Sequence, residues 1–307
     1  MKSGVTMAAA SMETHRNALF GLCYRMTGSA ADAEDLVQET FRKALEHPPP
    51  DTERSLAPWL FRVATNLCID SLRRRKRERY FGPWLPEPID TERVVASIEP
   101  GPEARYGLVE SATSAFLVAL EVLDPRQRAV LILRDVMGLT GPETAAALDT
   151  TPGNVRVLLH RARKELEGYD EQRRPITPEL RDKTARLLRE LMLRLGVGDF
   201  EGAARLLADD ATSIHDGAGE FVAAVRVLHG IEDILRTYRV IVAHAPWPTW
   251  AAERDLNGLP ALLVRYPDRE GRYARDVVFW IELDRDDKIA AIRGVVASSK
   301  LGAVRLG

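Results

Sequence analysis

Pro83, Pro86, Pro88, Pro100 and Pro102, with Gly82 and Gly101, all fall within residues 80–105. Proline fixes φ and removes a backbone donor, so no continuous helix crosses this stretch and its flanks must fold as separate modules. Residues 12–79 carry apolar side chains at helical spacing with no strand-like alternation, and residues 106–168 do the same. From about residue 176, helices precede the β-rich stretches Leu262–Tyr266, Val277–Leu283 and Ile289–Val296. The expected fold class is multidomain, two all-α domains followed by an α+β domain. The expected boundaries are 1–79, a linker over 80–105, 106–168 and 169–307.

With 45% apolar and 29% charged residues, the 307-residue chain can bury a substantial core, which excludes wholesale disorder. No run approaches the roughly 18 apolar residues of a membrane span. Ser11, Glu13, His15 and Arg16 interrupt any signal-like core, so a soluble, cytoplasmic protein with no membrane partner is expected. The two cysteines, Cys23 and Cys68, form no CxxC or Cys/His cluster, so neither a disulfide framework nor a bound metal is expected. A net charge of −2 does not point to nucleic acid. Of the 43 basic residues 36 are arginine, which suits phosphate and guanine contacts but equally follows from a GC-rich genome.

The second helical segment is the most legible. Asp124-Pro125 reads as an N-cap with proline at N1, Thr140-Gly141-Pro142-Glu143 as a capping box, and Thr151-Pro152 as cap and N1 again. Val155, Leu158, Leu159, Ala162 and Leu166 then share one face, which makes a helix-turn-helix. Asn154, Arg156, His160, Arg161, Arg163 and Lys164 lie off that stripe, and no acid occurs between Thr150 and Lys164. Such a face suits a recognition helix in the major groove, or a solvated basic face on an ordinary hairpin.

In the first segment, Ser29 can cap a helix buried along Ala33, Leu36, Val37, Phe41, Ala44 and Leu45. Asp32, Asp35 and Glu39 occupy another face, with Glu34 and Gln38 nearby. First-turn acids stabilise a helix dipole, which accounts for Asp32 and Asp35 but less well for Glu39, so partner docking is the alternative. Pro58 opens a longer helix, expected to bury Leu60, Val63, Ala64, Leu67 and Ser71. Asn66, Asp70, Arg73 and Arg77 share a different face, and the helix ends in a run from Arg73 to Arg79 broken only by Glu78. Trp59 and Phe61 stand near its start. Cations beside aromatics can track a phosphate backbone while stacking unpaired bases, although each aromatic taken singly suits a core.

Three motifs together, Asp32-Ala-Glu-Asp-Leu-Val-Gln-Glu-Thr-Phe41, Pro58-Trp-Leu-Phe-Arg-Val-Ala-Thr-Asn-Leu67 with its arginine run, and the helix-turn-helix ending His160-Arg-Ala-Arg163, resemble the extracytoplasmic-function (ECF) sigma factors of bacterial RNA polymerase. The resemblance implies a σ2 domain, a linker and a σ4 helix-turn-helix domain. It implies core polymerase (β′ clamp helices and β subunit) and promoter DNA as partners. Asp32, Glu34, Asp35, Gln38 and Glu39 would dock on the clamp helices. Trp59, Arg62, Asn66, Asp70, Arg73, Arg74 and Arg77 would engage the −10 element; Thr151, Asn154, Arg156, His160, Arg161, Arg163 and Lys164 would read −35. Elements roughly 25 base pairs apart are separated by about 85 Å, and a 26-residue linker spans at most about 86 Å.

Residues 169–307 resemble a cone-shaped SnoaL-like domain of the nuclear-transport-factor-2-like superfamily, with helices near 177–197, 199–207 and Ile231–Val242. Linker residues Gly82-Pro-Trp-Leu-Pro-Glu-Pro88 resemble those of the ECF group carrying this extension. That group often has an Asp-Gly-Gly-Gly-Lys loop where this chain has Asp216-Gly217-Ala218-Gly219-Glu220; Ala218 and Glu220 depart from it, Glu220 with reversed charge. Read from residues alone, Asp-Gly signals a hairpin turn. Trp84, Leu85 and Pro86, apolar where a solvated spacer need not be, suggest that this domain regulates in cis by packing against the linker and both DNA-binding domains. His215, Asp216, Tyr238 and Arg275 are candidate polar groups for a cavity that would take an unidentified small ligand. No HExxH, P-loop or nucleophile motif occurs, Gly196-Val-Gly198 and Gly217-Ala-Gly219 are too short for phosphate binding, and neither cofactor nor catalytic residues are expected. The competing readings are a conventional helix-turn-helix regulator with a ligand-sensing domain, and a DNA-binding module fused to a cyclase- or isomerase-like enzyme.

Overall fold

The computed structural model describes residues 12–47, 56–75, 80–95, 101, 103–268, 271 and 273–304. Two compact units emerge. One comprises Met1–Arg79 with Glu92–Glu171, the other Tyr80–Thr91 with Gln172–Gly307. The proline segment is thus shared between them.

The first unit is helical. Helix α1 (Arg16–Thr27) buries the run Leu19–Thr27 and stops at Gly28, whose φ of 67° closes the last turn. Ser29 Oγ accepts the Asp32 N–H at 3.0 Å and starts α2 (Ala30–Glu46). The buried stripe of α2 is Ala33, Val37, Thr40 and Ala44, narrower than its sequence suggests: Leu36 and Phe41 are half-buried and Leu45 is 52% exposed. Helix α3 (Ala57–Arg75) buries Leu60, Ala64, Thr65, Cys68, Ile69 and Leu72. The expected stripe through Val63, Leu67 and Ser71 is displaced by one residue, leaving those three half-buried. Two facing surfaces, α1 with α2 and the later helices, both draw on α3 and rotate its apolar sector.

After α4 (Thr91–Val95), Thr113 caps α5 (Ser114–Ala119) by accepting the Phe116 N–H. Asp124 and Gln127 form a reciprocal capping box at α6 (Pro125–Leu131), which continues through a π-type turn over Ile132–Val136. Thr140 and Glu143 form a second box at α7 (Gly141–Ala147). A turn with Asp149 at φ 51° leads to Thr151, whose hydroxyl accepts the Asn154 N–H and caps α8 (Pro152–Glu165). Helix α9 (Glu167–Gln172) follows.

The second unit is α+β. Helices α10 (Pro178–Gly196) and α11 (Phe200–Leu206) are capped by Thr177 and Asp199. Then come β1 (Leu207–Asp216), β2 (Leu228–His229), α12 (Gly230–His244), β3 (Trp250–Leu256), β4 (Leu259–Arg265), β5 (Asp276–Leu283) and β6 (Ile289–Val295). The sheet order is β2-β1-β6-β5-β4-β3, with β1 parallel to β6 and the other pairs antiparallel. Leu188, Leu191, Leu195, Ile234, Leu235 and Tyr238 pack on Ala211, Ile281 and Ile292 of one sheet face. Truncating such a leucine to alanine costs about 2–5 kcal/mol.

Asp216-Gly217 stands between the antiparallel strands β1 and β2 but makes no tight turn. It opens an eleven-residue connection to β2, with Ala218 and Gly219 at φ 46° and 75°. The tight hairpin is Asn257-Gly258 between β3 and β4, where φ values of 50° and 81° fit the Asn-Gly preference.

Candidate DNA-reading faces and linker clamp

Helix α8 turns Val155, Leu159 and Ala162 inward, so the 3.6-residue period sends Asn154, Arg156, His160, Arg161 and Lys164 outward, where all five are exposed. Thr151 is occupied as the cap. Asn154 Nδ2 donates to Thr150 Oγ1 at 2.8 Å, which fixes it at the helix start. Arg163 is placed differently: it makes a bidentate pair with the buried carboxylate of Asp135, at 2.6 and 2.9 Å. That pairing raises the Arg163 pKa and makes the residue a structural anchor of the helix-turn-helix.

On α3, Arg62, Asn66, Asp70, Arg73 and Arg74 are exposed and Trp59 is half-buried. Arg73 Nη1 lies 3.3 Å from Asp70 Oδ1 and Arg62 Nη2 3.5 Å from Asp149 Oδ1. Arg77 lies outside the described residues. On α2, Asp35 and Gln38 are exposed and Asp32, Glu34 and Glu39 half-buried. Glu39 pairs with Arg42 at 2.6 Å, which lowers its pKa, and Glu34 pairs with Arg93.

The second unit holds residues 80–91 as a strap. Leu85 through Ile89 are buried, although prolines deprive two of those five positions of a donor. Two of the three remaining amides are taken by side chains of the same unit. The Leu85 N–H donates to Asp216 Oδ2 at 2.8 Å; the Ile89 N–H donates to Asn257 Oδ1 at 3.1 Å. Ile89 O accepts from the Asn257 N–H, and Thr91 Oγ1 accepts the Gly258 N–H at 2.9 Å. The strap is therefore pinned at both ends.

Asp216 is completely buried. Lys300 Nζ donates to its Oδ2 at 2.6 Å and to Leu85 O at 2.6 Å, Tyr80 Oη donates to Oδ1 at 2.5 Å, and the Ala218 N–H adds 3.0 Å. The Lys300 ammonium also sits 4.8 Å from the Tyr80 ring centroid and 5.0 Å from that of Trp84. Burial, then the Asp216 carboxylate, pushes the Tyr80 pKa up, so its phenol stays a donor. Glu220 accepts from the Ser298 N–H at 3.0 Å and Ser298 Oγ at 2.9 Å, and from Ser299. The loop carboxylate thereby seats the tail segment that carries Lys300. Gly217 and Gly219 complete the turn, Gly219 beneath the Phe81 ring.

The four candidate cavity residues do not converge. Register places Ser213 and His215 on the helix-packed sheet face, and strand alternation sends Asp216 to the other. Tyr238 Oη and Ser213 Oγ each lie 3.1 Å from His215 Nε2, and burial lowers the His215 pKa to about 4. Arg275 is exposed just before β5, 3.5 Å from Asp268.

Residues 12–78 match the family model described as sigma-70 region 2, and residues 113–166 that described as sigma-70, region 4. Over 201 residues the chain is 39% identical to the ECF RNA polymerase sigma factor SigG of Mycobacterium tuberculosis, covering 59% of this chain but only 54% of SigG, so it spans about half of that relative. Over 233 residues it is 34% identical to SigJ of the same organism, covering 75% of this chain and 72% of SigJ. The chain belongs to the ECF sigma factors. The crystal structure of Mycobacterium tuberculosis SigJ superposes with a TM-score of 0.72 at 27% identity, covering 97% of this chain and all of that one. The architecture of this sigma factor is two helical sigma regions followed by an α+β domain of SnoaL-like type.

Lys300, Tyr80, Asn257 and the Ser298-Ser299 pair escaped sequence reasoning. The sigma factor brings Lys300 to Asp216 across 84 positions, a separation that no helical or strand period encodes. The one signal in the sequence is charge: Asp216-Gly-Ala-Gly-Glu220 holds two acids and no cation, so a buried Asp216 needs one from elsewhere in the chain.

Proposed function

We propose that this chain binds core RNA polymerase and directs promoter recognition and transcription initiation in the cytoplasm. In this reading α3 and the segment before it engage the −10 element, α8 reads −35 DNA, and α2 meets the β′ clamp helices. The carrying observation is the outward face of α8: Asn154, Arg156, His160, Arg161 and Lys164 are all exposed on a helix capped and held by the rest of its module. Major-groove reading needs donors on a rigid helix whose first turns carry no carboxylate, and α8 has none from Pro152 to Lys164; the acids, Glu165 and beyond, gather at its far end.

The second unit acts in cis as regulator of the linker. Docked, residues 80–91 are not available as a free spacer, because Leu85 and Ile89 each give their amide to a side chain of that unit. A small ligand that favours the released strap would activate, and one that favours the docked strap would repress. The unit is read as regulatory rather than catalytic: His215 is enclosed by Ser213 and Tyr238 and held neutral, burial keeps the Tyr238 phenol protonated, and among the described residues no carboxylate bonds to either ring.

The test is transcription in vitro with purified core polymerase, using the full chain and truncations near residues 170 and 220. Promoter-dependent transcripts that change in yield between the three support both parts. Identical yields remove the regulatory part, and absence of transcripts from all three removes the whole reading.

A further inference from the structure

We propose that Glu121 is the shared acceptor of a polar latch that closes the −10 and −35 modules on each other in the free sigma factor. The inference rests on the promoter-reading function above, because that function requires the two modules to part. The closed state places Arg128 Nη1 at 2.8 Å from Met26 O, across the two modules. Promoter elements lie about 85 Å apart. One closed unit cannot occupy both.

The latch is built from one arginine of each module. Arg75, at the end of α3, donates from Nη2 to both Glu121 oxygens at 2.8 and 2.9 Å and from Nη1 to Thr27 O at 2.7 Å. Arg128, on α6, donates from Nη2 to Glu121 Oε1 at 2.9 Å and to Leu120 O at 2.7 Å. The terminal carbonyls of α1 are thus capped by guanidinium groups, one of them delivered by the other module. A second contact lies beside it. Arg25 of α1 is fully enclosed and donates to Ser111 Oγ at 2.9 Å and Leu108 O at 3.1 Å.

The chemistry makes this closure reversible. Arg25 and Arg128 are 0% and 3% exposed, and burial lowers the pKa of each, that of Arg25 to about 10. Arg128 Nε is buried with no hydrogen-bond partner. Opening returns both cations to water, a compensation that an apolar interface lacks. Arg62, from the −10 face, lies 3.5 Å from Asp149 in the helix-turn-helix turn, so closure also engages a DNA-facing side chain.

Spin labels on the exposed positions Glu46 and Glu165 of the full chain (Glu46→Cys, Glu165→Cys) report the separation by pulsed dipolar spectroscopy. A single short distance is expected, shifting to a long one when core polymerase is added. Glu121→Gln and, independently, Arg75→Gln should raise the long-distance fraction without polymerase about tenfold, equivalent to about 1.4 kcal/mol. Arg75 ends its helix at the surface, so its variant reads the latch even if Glu121→Gln disturbs folding. Unchanged distances in both variants, or polymerase binding with the short distance retained, overturn the latch. Failure of the unsubstituted chain to bind polymerase instead overturns the promoter reading, and the distances in the two variants still judge the latch.

Discussion

Lys300 Nζ and Asp216 Oδ2 stand 2.6 Å apart inside the second unit, with the carbonyl of Leu85 completing the ammonium's contacts. Removing one member of a buried pair leaves the other charge unpaired, at a cost of about 3–5 kcal/mol. Lys300→Met should therefore free the near end of the strap. Hydrogen exchange is expected to accelerate at the Leu85 amide, which Asp216 accepts, before the Ile89 amide, which Asn257 accepts. Equal protection in variant and wild type would contradict the clamp.

Asn257 separates turn geometry from strap binding. Its φ of 50° favours glycine or asparagine, while its Oδ1 holds Ile89. Asn257→Gly should keep the hairpin and lose the hydrogen bond, destabilising strap docking by about 1–2 kcal/mol. Asn257→Ala should lose both and cost about 1 kcal/mol more. Differential hydrogen exchange over residues 85–91 measures both; indistinguishable variants would remove the turn from the account.

Two arginines on α8 should behave oppositely. Arg156 is exposed, so Arg156→Ala should leave the melting temperature unchanged and relax −35 sequence preference by about 1–3 kcal/mol per affected base. Arg163 neutralises buried Asp135, so Arg163→Ala should destabilise the first unit by about 3 kcal/mol. Thermal melts and promoter selection on both variants decide it.

His215 sets a pH dependence. Burial holds its folded pKa at about 4, below the ordinary histidine value of 6.5, so between these values the unfolded chain binds the extra proton. The contribution of neutral His215 is complete above pH 6.5 and is lost progressively as pH falls towards 4, by about 3 kcal/mol at most. Urea midpoints of wild type and His215→Gln, compared across pH 4–7, should converge as pH falls. Parallel curves would contradict it.

What the sequence discloses is local. Ser29, Asp124, Thr140 and Thr151 act as caps because each hydroxyl or carboxylate meets an amide two or three residues on, a relationship written in adjacent letters. The outward face of α8 is legible for the same reason. The stripe of α3 is displaced because two sets of helices compete for it, and Arg163 is drawn inward because Asp135 is buried 28 residues away. The Asp-Gly pair at 216–217 signals a turn between strands but not its length, since the same pair serves long connections as well as tight hairpins. The strap's docking is legible in the apolar Trp84 and Leu85; its fastening is not, since Lys300 and Asn257 come from far along the chain.

The most direct test is association of the intact chain with core RNA polymerase at low salt, beside a variant carrying Asp35→Lys and Glu39→Lys. The expected result is a stable complex with the intact chain, weakened at least tenfold in the variant although its fold is unchanged. No complex with the intact chain or with a truncation near residue 170 would contradict the account.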